Sequence, residues 1–261
     1  MLRSLFAVPV LISASVALAA EPVKVTAPPE PPDMVKLFNG KDLTGWEGDP
    51  RLWSVKDGAI RGQTTADKQT KGNTFLIYVG NGGKPVEFKD FELRLSFRID
   101  HGNAGVQYRS VLLPAPPDAE NKWVVAGYQA EVANSPTAAG FLYHERARAS
   151  LVQVGDKVVI NEDGSKQVVG KLGDRNEIAK HYRMSDWNDY VIICKANHIQ
   201  HFLNGVQTID LIDNDIEPSV DKNGKPEPLK CRSLSGIIAL QIHAGPPMWV
   251  DYKDIRIKTL D

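Results

Sequence analysis

Phe91-Glu-Leu-Arg-Leu-Ser-Phe-Arg-Ile99 is the stretch that decides the fold class. Apolar residues stand at 91, 93, 95, 97 and 99, with Glu92, Arg94, Ser96 and Arg98 between them. Successive side chains of a strand point to opposite faces, so this period of two predicts a half-buried strand with Leu93, Leu95 and Phe97 in the core. Shorter stretches repeat the pattern: Val106-Gln-Tyr-Arg109, Tyr128-Gln-Ala-Glu-Val132 and Ile238-Ala-Leu-Gln-Ile-His243. Between such runs lie Asn39-Gly40, Asp57-Gly58, Asn81-Gly82-Gly83, Asp163-Gly164 and Asn204-Gly205, which supply the positive φ of tight turns. The Asp163-Gly164 pair separates Lys157-Val-Val-Ile160 from Gln167-Val-Val169 and predicts a hairpin. Helical periodicity is confined to one short stretch, Asn176 to Ser185. Many short strands, regular turns and almost no helix predict an all-β sandwich or jelly roll. Near the C-terminus Val250 and Tyr252 are apolar in one register, and Ile255 and Ile257 in the opposite one. A bulge is therefore expected near Lys253-Asp254.

The N-terminus reads differently. Met1-Leu2-Arg3 is a short positive start, Leu5 to Leu18 is almost wholly small and apolar, and Ala17-Leu18-Ala19 has the small-x-small spacing of a cleavage site. Residues 1–19 are expected to be a signal peptide, residues 20–33 a stiff Pro-rich linker, and residues 34–261 one domain. No segment has the 18 or so consecutive apolar residues of a membrane-spanning helix. Lys and Arg number 31, one of which is Arg3 in the leader, against 32 Asp and Glu. That balance, with basic residues scattered, excludes an electrostatic footprint for nucleic acid or an anionic membrane surface. The two cysteines, Cys194 and Cys231, allow either one disulfide or two free thiols, and exclude a cysteine-only zinc site. Asp213-Asn-Asp215 and Asp221-Lys-Asn-Gly224 lack the closing glutamate of a calcium loop and read as surface loops, so no metal site and no cofactor are predicted.

Alternation also sorts the polar residues. Gln107 and Arg109 oppose Val106 and Tyr108; Gln129 and Glu131 oppose Tyr128, Ala130 and Val132; Gln241 and His243 oppose Ile238, Leu240 and Ile242. Were these strands neighbours, amide, guanidinium, carboxylate and imidazole groups would share a sheet face suited to sugar hydroxyls. The bland alternative is an ordinary solvated face. Tyr108, Trp123, Tyr128, Tyr143 and Trp249 lie close in sequence to this set, and rings can serve as platforms for sugar C–H faces.

A series of ordered motifs sharpens this: Leu37-Phe-Asn-Gly-Lys-Asp-Leu-Thr-Gly-Trp46, Trp53-Ser-Val-Lys-Asp-Gly58, Asp90-Phe-Glu-Leu93, Asn103-Ala-Gly-Val-Gln-Tyr-Arg109, Gly127-Tyr-Gln-Ala-Glu131, Gly140-Phe-Leu-Tyr143, Trp187-Asn188, His201-Phe-Leu-Asn-Gly205 and Gly236-Ile-Ile-Ala-Leu-Gln-Ile-His243. The series resembles the 3-keto-disaccharide hydrolase domain family over Val35 to Asp261. It departs from the commoner pattern at Asn103-Ala-Gly and at Glu131-Val-Ala-Asn134. The resemblance implies a concanavalin A-like jelly roll of two curved antiparallel sheets, with a glycoside or oligosaccharide bound on the concave face. It also implies hydrolysis, or elimination followed by hydration, of glycosides oxidised at C3. No strand carries the clustered carboxylates of laminarinase-like glycosidases, so two-carboxylate hydrolysis has no local motif here. Elimination requires a base for the C2 proton, a cation or donor for the enolate, and an acid for the leaving oxygen. Glu131 is the expected base, Arg109 the enolate partner, and His243 or His144 the acid, with Gln107, Gln129, Tyr143 and Gln241 binding substrate. The reading from another class is a lectin-like module using the same face without turnover.

Overall fold

The computed structural model describes residues 25–260 apart from 117, 217, 222 and 224; the leader-like residues 1–19 lie outside the described residues. Two sheets pack face to face. The larger runs, from edge to edge, through Lys166–Lys171, Asp156–Ile160, Val206–Asp213, His198–Leu203, Asn188–Lys195, Phe91–Ile99, Trp249–Thr259, Ala59–Gln63 and Trp53–Lys56, with Val35–Lys36 added on Trp249–Thr259. The smaller runs through Ala149–Val152, Leu142–Glu145, Val125–Ala133, Asn103–Leu112, Gly236–Ile242, Thr74–Tyr78 and Trp46–Glu47, with Glu87–Phe88 added on Gly236–Ile242. Pairing is antiparallel except between Asp156–Ile160 and Val206–Asp213, which run parallel. The expected all-β sandwich is the fold observed.

Phe91–Ile99 sits in the middle of the larger sheet, between Asn188–Lys195 and Trp249–Thr259. Leu93, Leu95 and Phe97 are buried in the core between the sheets, as the alternation requires. The four strand tyrosines of the same core hook their hydroxyls onto polar atoms of other strands, because a buried O–H left unpaired is costly. Tyr108 meets His201 Nε2 at 2.7 Å, Tyr128 donates to Asp213 at 2.6 Å, Tyr190 donates to the Glu131 carbonyl, and Tyr252 to those of Gly105 and Gln241. The expected bulge occurs where Trp249–Thr259 shifts register on Phe91–Ile99 between Lys253 and Arg256, with Asp254 at φ 54°. The Asp163-Gly164 hairpin joins Asp156–Ile160 to Lys166–Lys171. The short helix is Arg175–Ala179, shorter than expected, and is capped by Asp174 accepting from the Asn176 and Glu177 amides.

Residues 25–33, within the expected stiff linker, lie against the larger sheet. Val25 and Ala27 exchange backbone bonds with Gln207 and Gly205, Arg94 donates to the Pro28 carbonyl, and Glu30 pairs with Arg256. Proline cannot donate to a ladder, but its carbonyl can accept, which is how this segment is held. Cys194 is buried in the core, where burial pushes its thiol up to about 12, and Cys231 is half-buried in a loop; both are free. Asp213 and Asp215 bind Arg148, and Asp221 accepts from the Asn223 and Lys225 amides, so both calcium-like stretches are spent on protein groups. Among the described residues no helix is long and apolar enough to cross a membrane.

Candidate active site

The outer face of the smaller sheet, turned away from the core, is divided in two. On one side Phe75, Ile77, Val79, Val125, Ile237 and Ala239 form a separate apolar cluster that Trp123 packs against. On the other side the strands deliver polar groups in cross-strand rows. Glu131, Gly105, Gln241 and Phe75 stand in one row; Tyr143, Gln129, Gln107 and Ala239 stand in the next. Gln107, Gln129, Glu131 and Gln241 thus share a face, and Tyr143 joins them from Leu142–Glu145.

Gly105 makes the linkage possible. A Cβ at that position would come within 2.4 Å of Gln129 Cδ, so the Gln129 side chain lies flat over the glycine. From there Gln129 reaches both ends of the neighbouring row. Its Oε1 accepts from Gln107 Nε2 at 2.6 Å and from Gln241 Nε2 at 2.8 Å, and its Nε2 donates to Glu131 Oε2 at 2.9 Å. Ser110 Oγ in turn donates to Gln107 Oε1 at 2.8 Å. The direction of every amide in this chain is therefore fixed. All three glutamines are buried, so they form a floor that aims the carboxylates rather than a sugar-facing surface. Gly105→Ala should push Gln129 off the floor and release Glu131. We expect a loss of about 1–3 kcal/mol in urea denaturation, the scale of overpacking, together with a turnover loss of about tenfold or more. A Gly105→Ala protein with wild-type stability would show that the close approach is not needed.

Two carboxylates flank the floor. Glu131 is buried and bonded by Gln129 and Asn103; burial, with the negative charge of Glu145 adding to it, pushes it up to about 7. Glu145 accepts from Gln241 Nε2 at 3.4 Å and Asn73 Nδ2 at 3.3 Å, and the Arg146 guanidinium approaches to 4.0 Å. Tyr143 stands near both, its hydroxyl raised by its own burial and by the charges of Glu145 and Glu131. Two acceptors here, Asn103 Oδ1 and Gln241 Oε1, have no donor. Asn103 also lines a groove of about 530 Å³ together with His101, His243, Pro246 and Met248. Asn103, which bonds Glu131, links that carboxyl to the groove lining. A site of this make-up, with a carboxylate poised near neutrality among amides and a second carboxylate, can take up a proton.

Three expected site residues are placed elsewhere or at the margin. Arg109 does not share the face of Gln107. Its φ is 45° and the pairing of Asn103–Leu112 with Val125–Ala133 slips between Tyr108 and Val111, so the strand turns over at that residue. Its guanidinium is spent on the Lys89 and Ala196 carbonyls and on Asp90, binding the smaller sheet to the end of the larger one. His144 points to the core side. It stacks on Tyr128 with ring centroids 4.6 Å apart, accepts from Arg148 at its Nδ1, and is driven down to about 3 by burial, so it is a neutral ring. His243 lies one residue beyond the strand, exposed at the groove, with Nδ1 2.6 Å from the Ala244 carbonyl. Of the rings expected beside the site only Tyr143 and Trp123 lie on this face; Tyr108 and Tyr128 are core, and Trp249 stacks with Arg61 on the other sheet. Glu145, Asn73 and Asn103 are the groups that sequence reasoning left out. Glu145 could have been found, since it stands two residues after Tyr143 and a period of two puts both on one face.

The model of the 3-keto-alpha-glucoside-1,2-lyase-like domain matches residues 33–258. A Bacteroides thetaiotaomicron protein described as a 3-keto-disaccharide hydrolase is 28% identical over 99 residues, covering 34% of this chain and 32% of that protein. The match therefore spans about a third of the relative's length. Two solved structures from Parabacteroides distasonis, both provisionally described as glycosyl hydrolases, share the fold. One is 20% identical, covers 87% of this chain and 99% of its own, and has a TM-score of 0.52. The other is 21% identical, covers 87% and 94%, and has a TM-score of 0.50.

Proposed function

The chain belongs to the 3-keto-alpha-glucoside-1,2-lyase-like domain family, and we propose that it breaks the glycosidic bond of sugars oxidised at C3, with Glu131 as the base. The observation that carries this reading is Glu131 itself, a buried carboxyl raised to about 7 and aimed by a fixed chain of glutamines. A ketone at C3 acidifies the C2 proton. Glu131 takes that proton, and the C2–H electron pair moves into an enolate with its charge on the C3 oxygen. When the enolate collapses, the C1–O bond breaks and the departing oxygen takes up a proton. Water added across the resulting C1=C2 bond returns a free keto sugar. A base works best when its proton affinity matches the working pH, which Glu131 meets near neutrality. We assign protonation of the leaving oxygen to Tyr143 or His243, the first raised by burial and by the two carboxylates, the second exposed at the groove. The leader-like residues 1–19 support action outside the cytoplasm.

Incubation with 3-keto-trehalose and 3-keto-glucosides, followed by product analysis, tests the reading. Keto sugar and free aglycone should appear, and the unoxidised parent glycosides should stay intact, since without the ketone the C2 proton is not acidic. Binding of the keto-glycosides with no turnover would instead favour a lectin-like module.

A further inference from the structure

Charge balance in the site poses a question that the expected residues do not answer. When Glu131 takes the C2 proton, its negative charge passes to the C3 oxygen of the enolate, in a site that also holds the carboxylate of Glu145. Arg109, the cation expected to meet it, is buried elsewhere and its donors are spent.

Arg146 differs from every other arginine among the described residues. Arg51, Arg61, Arg94, Arg98, Arg109, Arg148, Arg175, Arg183, Arg232 and Arg256 each donate at least one side-chain hydrogen bond. Arg146 donates none. Its one polar contact is the 4.0 Å approach of Nε to Glu145 Oε1, too long to use a donor. Its side chain is 47% exposed, and Nη2 lies 4.0 Å from where a Cβ would stand on Gly72, next to the Asn73 that bonds Glu145. The backbone is held at φ 53°, a conformation that L residues with side chains rarely adopt. That turn directly follows the strand carrying Tyr143 and Glu145. The fold thus keeps a left-handed residue at the rim of the site and leaves its planar fork of donors unused.

We propose that Arg146 is the cation that meets the charge developing on the C3 oxygen, a catalytic role resting on the keto-glycoside reading above. Glu145 holds the guanidinium beside the sugar without consuming its N–H groups. Two parallel donors then bind the ketone oxygen more tightly as its negative charge grows, which is the condition for lowering a barrier rather than merely binding substrate. The proton still passes from C2 to Glu131; Arg146 transfers nothing and remains charged throughout.

The test is turnover of a 3-keto-glucoside by wild type, Arg146→Gln and Arg146→Ala, with melting curves alongside. Since Arg146 makes no hydrogen bond, both variants should melt close to wild type. We expect kcat to fall by about 10² to 10³-fold, as for the loss of one oxyanion donor, with KM changing far less. Guanidine added well below denaturing concentrations should restore part of the Arg146→Ala rate, which it would not do for a merely structural residue. Arg146→Gln within twofold of wild type, or an Arg146→Ala loss that guanidine leaves untouched, overturns this role while leaving the keto-glycoside reading in place. A wild type that leaves every keto-glucoside intact overturns both.

Discussion

Arg148→Ala should cost the fold about 3–5 kcal/mol, the scale of stripping one partner from a buried ion pair. Arg148 is 12% exposed, and it faces Asp213 and Asp215, whose side chains are 1% and 5% exposed. Its Nη2 lies 2.5 Å from Asp213 Oδ2 and its Nη1 2.9 Å from Asp215 Oδ2, while Nε donates to His144 and Nη2 also to the Tyr128 hydroxyl. Truncation leaves two carboxylates close together, out of water and without a cation. At about 2–4 °C per kcal/mol for a domain of this size, the melting point should drop by roughly 10 °C. The loss should depend on pH in a definite direction. Burial already raises Asp215 and Arg148 lowers it, so without the guanidinium the ionised carboxylate is disfavoured and the penalty is full at neutral pH. It is relieved as pH falls and Asp215 is protonated. Replacing Asp213 and Asp215 by Asn in the Arg148→Ala background should recover part of the loss for the same reason. A melting point at neutral pH equal to wild type would show that these carboxylates do not depend on Arg148.

Period two, which exposed the fold, also puts four of the candidate site residues on one face, and it fails where the backbone leaves the strand. Gln107, Gln129, Glu131 and Gln241 share a face because each stands in an unbroken ladder, where parity is fixed. Arg109 follows Tyr108 with the same parity as Gln107, yet a left-handed φ reverses it. That reversal is a property of the chain path and leaves no mark in the local pattern. At Lys253-Asp254 the equivalent event was legible, because apolar residues on both sides change parity and so record the slip. Tyr143 and His144 show a different limit. Neighbours on a strand cannot serve one face, so expecting both at the site was inconsistent with the alternation used to find the others. The residue that accompanies Tyr143 is Glu145. The buried state of the glutamines was beyond reach too, since it depends on Gly105 leaving room for Gln129 and on the groups that close over the face.

The polar floor follows a consistent charge logic. Glu145 accepts from two amides and has the Arg146 guanidinium 4.0 Å away. Glu131 is bonded by Gln129 and Asn103 but lies deeper, and the Glu145 charge raises it further. The proposed base is thus the deeper of the two carboxyls, and it is the one that burial raises.

Glu131→Gln should therefore slow cleavage of a 3-keto-glycoside by about 10²-fold or more and, at the same time, make the protein more stable in mild alkali. The amide keeps the size of the carboxyl and an oxygen for the Gln129 donor, and Asn103, which bonds Glu131, has its own Oδ1 free to accept from the new N–H groups. It removes the proton acceptor and also the buried charge. Raising a carboxyl from its ordinary value to about 7 means that the folded protein retains a proton which the unfolded chain has released. Stability contributed by this group therefore falls as pH rises from about 4.5 through about 7, and above that the ionised fold carries a penalty of about 3 kcal/mol. The substituted amide does not ionise and escapes it. Urea denaturation at pH 8 should show the variant more stable by roughly 2–3 kcal/mol, while at pH 4.5 or below the two proteins should be nearly equal. The wild-type rate should rise with pH up to about 7 as Glu131 gives up its proton. A variant that keeps the wild-type rate would remove Glu131 from the chemistry, and one no more stable than wild type at pH 8 would show that the carboxylate is not strained by burial. Both expected changes arise from one cause: the charge that burial makes costly to the fold is the same charge that the proposed base needs to take up a proton.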